Sequence, residues 1–136
     1  MTRRTHPLIL AAAALLVLAR PALAGPPLPC FPFEIGAAKS LPMAPDAAKS
    51  WRAIDRQYDV SHLVADTLAL LVPSTPTIVR METLRRATVY ASAHPKLSGE
   101  LMSALKARDE AHAMMAAFDY GYFVESSRQA AMIKGE

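Results

Sequence analysis

Asp55, Asp59, His62 and Asp66 follow one another at intervals of four, three and four residues. On an unbroken α-helix that spacing stacks all of them on one face within an arc of about 60°. Carboxylate oxygens and an imidazole aligned in this way can hold a divalent cation such as Zn²⁺ or Mn²⁺, or can set His62 as a general base beside carboxylates. The full row would span about 16 Å along the helix axis, too far for one ion, which reduces the metal candidates to Asp59, His62 and Asp66. The competing reading is structural: a solvated acidic edge of an amphipathic helix, with His62 hydrogen-bonded at its margin.

Asp109 and His112 repeat the Asp59–His62 spacing, an acid three residues before a histidine. Helical bundles that hold two metals use that interval, with Glu82 and Glu125 available here on other segments, although such bundles use glutamates and longer helices. His112 also shares a helical face with Leu101, Leu105, Arg108, Met115 and Asp119, which fits an internal polar contact or a helix break better than catalysis. Met114 and Met115 read as gap-fillers of a core rather than copper ligands. Phe118, Tyr120, Tyr122 and Phe123 read as packing aromatics, with Tyr120 and Tyr122 as candidate partner-binding residues beside Phe31 and Phe33. Motifs for covalent haem attachment, the serine nucleophile elbow, phosphate-binding glycine loops and zinc-protease helices do not occur.

The single cysteine, Cys30, cannot form an internal disulfide. A bond to a second copy or to another protein stays open, against a packed thiol that acts as a small apolar group with no basic neighbour in sequence.

These groups must be positioned by a chain that opens on an export leader. Arg3 and Arg4 precede an uncharged run from Leu8 to Leu18, too short to span a bilayer, and Ala22-Leu23-Ala24 supplies the small residues that a signal peptidase reads. Residues 1–24 are therefore expected to be removed, leaving 112 of the 136 residues and no stable membrane anchor. Arg3, Arg4 and Arg20 account for the whole formal charge of +3, so 12 basic and 12 acidic residues remain from Gly25 onward. That balance removes the long-range attraction that nucleic acid or an anionic membrane would require. The product is expected in a periplasm or outside the cell.

Residues 25–45 carry six prolines together with Leu28, Phe31, Phe33, Ile35, Leu41 and Met43. Proline excludes helix and favours extended backbone, while the apolar content argues for an arm laid across a domain. Residues 46–136 form that domain. Trp51, Ile54, Tyr58, His62 and Ala65 define a helical stripe, and Leu68 to Val72 are apolar all round, so residues 46–72 predict one helix, or two meeting near Asp59, ending in the most buried element. Ser74 or Thr75 is expected to cap a helix from Pro76 to about Ala93, with Ile78, Met81, Leu84, Thr88 and Ala91 inward and Arg80, Glu82, Arg85 and Arg86 on a charged outer side. A single helix over residues 96–133 would be about 57 Å long, so a break is expected near Arg108–Glu110 or at Gly121.

The expected fold is all-α, a small bundle of four or five antiparallel helices with a proline-rich extended N-terminal arm. The function expected from this pattern is a non-catalytic, exported module that binds another protein without a cofactor. The alternative is a small divalent-metal-binding protein or metal-dependent enzyme using the Asp/His helix face. Protein secreted by a bacterial host should start at Gly25 by intact mass; an uncleaved Met1 start would overturn the leader reading.

Overall fold

The computed structural model describes residues 28–45 and 50–135. Among them the architecture is four α-helices, α1 (Leu63–Leu70), α2 (Thr77–Ala91), α3 (Pro95–Glu110) and α4 (Ala116–Lys134), with 3-10 turns at Leu28–Cys30 and Val60–His62. The small helical bundle follows from the periodicity, and no strand occurs among the described residues. The leader, the first residues of the arm and residues 46–49 lie outside the described residues.

The core is built from Leu63 and Leu71, Leu84, Ala87, Tyr90 and Ala91 of α2, Leu101 and Leu105 of α3, and Tyr122 and Phe123 of α4, with Leu41 contributed by the arm. α4 packs on both α2 and α3, and α1 also contacts both of these helices. Pro95 occupies the first turn of α3, where its missing amide hydrogen costs nothing. The long C-terminal segment breaks at residues 111–115, just beyond the expected Arg108–Glu110. Gly121 instead lies inside α4 on an exposed side.

Two expectations are corrected. The first concerns residues 50–59, which form turns rather than helix, so α1 begins only at Leu63. Asp59 accepts a hydrogen bond from the Ser61 amide, 3.0 Å, and caps the short 3-10 turn that leads into α1. Asp55 likewise accepts from the Gln57 amide, 2.9 Å. Short carboxylates that bond the backbone two residues on favour turns over helix, and here two of them act in succession. At the next boundary Thr75 does not cap α2 but donates to the Leu70 carbonyl, 2.7 Å.

The second correction concerns which helix is central. α2, not the segment ending at Val72, is the most buried element, with eleven of its fifteen residues buried. Its charged side is inside: Arg80 and Glu82 are 0% exposed and Arg85 is 1% exposed, whereas Ile78 is 42% exposed. The α3–α4 side supplies the partner for Arg80, whose Nη1 lies 2.6 Å from Asp119 Oδ2. Its Nη2 donates to the Val72 carbonyl, 2.6 Å. Arg108 reaches the same cluster, donating to the Leu71 carbonyl at 2.7 Å with Nη1 3.9 Å from Asp119. The sequence-based polar contact between Arg108 and Asp119 is thus present, while His112 stays exposed at the helix break.

Burying an ion pair withdraws both charges from water, a cost that their mutual attraction roughly offsets; removing one partner leaves the other uncompensated. Asp119→Ala or Arg80→Met alone should cost about 3–5 kcal/mol in urea unfolding. The double variant Arg80→Met/Asp119→Leu should recover most of that loss, and additive losses would show that the two groups act independently.

Candidate partner-binding surface

The arm is held to α2 and α4 at successive points. The Leu28 amide donates to Gln129 Oε1 on α4, 2.6 Å. Pro29 is buried, and its carbonyl accepts from Arg85 Nη1 at 3.1 Å. The Phe33 amide donates to Glu82 Oε2, 2.9 Å. Gly36, at φ +56°, turns the chain back through a turn closed by the Ala38 amide on the Ile35 carbonyl, a conformation that glycine adopts without strain. On the return, Ser40 and Thr83 hydroxyls share a hydrogen bond of 3.0 Å, and the Leu41 carbonyl accepts from Arg86 Nη1 at 2.6 Å. The Tyr90 hydroxyl donates to the Pro42 carbonyl, 2.8 Å.

Proline lacks the amide hydrogen that would continue a helix or a sheet ladder, so the described part of the arm forms neither α-helix nor strand and several of its carbonyls are met by side chains of α2. Glu82 organises the donors. Its two oxygens accept from Arg85 Nε and Nη2 at 2.7 and 2.8 Å and from Arg86 Nε at 2.6 Å, which aims the remaining guanidinium hydrogens at the arm. Burial pushes the Glu82 carboxyl up, but hydrogen bonds from Arg85, the Phe33 amide and Arg86 outweigh it and hold the group below the usual glutamate range. Between the two legs of the arm lies a groove of about 320 Å³ with Pro32, Phe33, Ile35 and Met43 among its walls and the Glu82–Arg85–Arg86 cluster at its base.

The aromatic candidates separate. Phe31, 58% exposed, stands at the surface and immediately precedes Pro32 of the groove wall in the chain. Phe33 is half-buried against the core. Tyr120 is also half-buried there, and Tyr122 is only 9% exposed and stacks with Phe118 at 5.8 Å between centroids. Burial pushes the Tyr122 hydroxyl up to about 12. Tyr122 is therefore a core residue and not a contact surface in this conformation. Cys30, next to Phe31, is partly buried, and that burial raises its thiol pKa against the opposing pull of Arg85. A basic neighbour that the local sequence lacks is thus brought in by the fold.

The Asp/His face does not assemble. Asp59 is spent on its cap and His62 is exposed. Asp66 accepts from the Tyr58 hydroxyl, 2.7 Å. Asp109 and His112 sit at the end of α3, Glu125 pairs with Arg128 on α4 at 2.6 Å, and Glu82 serves the arm. Among the described residues no three His, Cys, Asp or Glu side chains are grouped to hold a metal ion.

Of the four charged residues that organise α2, only Glu82 figures among the sequence candidates, and there as a metal ligand; Arg80, Arg85 and Arg86 are assigned in sequence to a charged outer side. Their one signal is spacing: Glu82 stands three and four residues before the two arginines, the interval at which side chains meet on a helix. No protein-family model matches the chain, and no curated protein or solved structure matches it.

Because the folded-state pKa of Glu82 is lowered, its contribution is fully present above the unfolded value near 4.3 and is lost as pH falls through the lower folded value. Asp119 acts in the opposite sense, since burial raises its pKa against Arg80 and Arg108. Urea midpoints measured from about pH 7 down to about pH 3 should therefore fall for the wild type. They should fall less for Glu82→Gln, which should already be weakened at neutral pH. An unchanged acid limb in Glu82→Gln would place the sensitivity elsewhere.

Proposed function

We propose that this chain is an exported, non-catalytic helical module that docks another protein on the arm face, with Phe31 as anchor and the adjoining groove as seat for an extended apolar segment. The observation that carries the reading is the exposure of Phe31 on backbone fixed at Leu28, Pro29 and Phe33. A large aromatic presented on immobilised backbone loses little freedom on association, and such residues dominate binding energy at interfaces.

Several features support the reading. The leader signature directs the chain to export, and among the described residues no helix is long and apolar enough to cross a membrane. The balance of charge beyond residue 24 favours a protein partner over nucleic acid. Cys30 lies one residue from the anchor, and its partial burial and raised pKa favour a packed thiol over a disulfide to the partner.

Affinity capture from the native envelope fraction tests the proposal with three baits: wild type, Phe31→Ser, and Val124→Ser on the exposed side of α4. A companion retained by wild type and Val124→Ser but lost with Phe31→Ser supports arm-face docking. Equal retention by Phe31→Ser overturns it.

A further inference from the structure

The turn between α3 and α4 reverses the expectation for its two methionines. Met114 is 67% exposed and Met115 36% exposed, and every residue from Glu110 to Met115 lies at the surface. Neither methionine fills a core gap. The turn is tightly built: the His112 amide donates to the Asp109 carbonyl at 2.8 Å, the Ala113 amide to Arg108 at 3.1 Å, and the Ala116 amide to Ala113 at 3.0 Å.

Among the described residues, His112 at φ +53° and Met115 at φ +62° are the non-glycine positions with left-handed backbone. Histidine visits that region more readily than most residues, methionine does so rarely, and such conformations persist where the surroundings impose them, often at ligand sites. Both left-handed positions here carry metal-binding atoms, and a third such residue, Met114, lies between them.

We propose that His112, Met114 and Met115 form a binding site for Cu(I). Two thioethers and one imidazole are soft or borderline donors, the set that selects Cu(I) over Zn²⁺, Mg²⁺ or Ca²⁺. A closed-shell d¹⁰ ion imposes little geometric demand, so three donors from one four-residue turn suffice without a rigid cage. The nearby carboxylate of Glu110 pairs with Lys106 at 3.6 Å, which leaves the sulfur and nitrogen donors as the distinctive chemistry of the turn. As an apolar surface the same positions would serve as well with leucine; a thioether differs from leucine in its sulfur lone pairs. The inference stands on this turn alone and does not require the arm-face reading.

The test is competition for ascorbate-reduced copper against the chromogenic chelator bicinchoninate. All proteins carry Cys30→Ser, because a free thiol would itself take Cu(I). The Cys30→Ser protein should withdraw one equivalent of Cu(I) from the chelator. Adding Met114→Leu and Met115→Leu together should weaken that withdrawal by more than about tenfold, with His112→Ala also weakening it and helical dichroism unchanged. Failure of Cys30→Ser to compete, equal competition by the leucine variant, or displacement of the copper by equimolar Zn²⁺ would each overturn the site.

Discussion

The buried charge of α2 is the constraint on which this molecule depends. A helix carrying Arg80, Glu82, Arg85 and Arg86 within seven residues would ordinarily turn that side to water. Here three of those four side chains are essentially inaccessible, and each is matched to a specific partner. The matching divides by direction. Arg80 faces the loop after α1 and Asp119 of α4, while Glu82, Arg85 and Arg86 face the arm. One helix therefore ties the arm to the loop after α1 and to α4, and α4 in turn holds the start of the arm through Gln129. The apolar groups of the same helix, Leu84, Ala87, Tyr90 and Ala91, supply the non-directional part of the packing.

That division explains why the arm can be proline-rich. A segment interrupted repeatedly by proline has a broken row of amide donors for a sheet and cannot continue a helix, yet its carbonyls still need partners. Arginine suits this task because its planar fork can satisfy a carboxylate and a carbonyl at once. Arg85 and Arg86 both do so, each bonding Glu82 with one edge and an arm carbonyl with another. The groove base and the position of Phe31 follow from these contacts.

Much of the fold was legible in residue patterning. Helical class, a small bundle, the helix ends around Pro95 and a break after Arg108 all follow from apolar periodicity and proline. The misreadings share a cause. At residues 50–59 the apolar stripe had helical spacing, but Asp55 and Asp59 bonded to backbone amides two residues on and closed turns instead. In α2 the polar residues read as an outer face because one helix viewed alone contains no record of what will cover it. Asp119 is thirty-nine residues from Arg80, and Pro29 is fifty-six from Arg85; no local period carries those pairings. The same limit applies to the candidate sites. Phe31 and Tyr122 are both aromatic and both plausible contacts in sequence, yet one is at the surface and the other lies in the core.

The hydrogen bond from the Leu28 amide to Gln129 joins residues 101 positions apart. As the chain is made, the arm precedes its anchoring residue Gln129 by that interval. Arg85 and Arg86 of α2 can meet the arm carbonyls earlier, but the Leu28 amide has no partner until α4 is in place, and closing so wide a loop carries an entropic cost that finished packing must offset. Closure of the arm on α4 is thus a late step of assembly, and the segment bearing Phe31 is the one that waits for it.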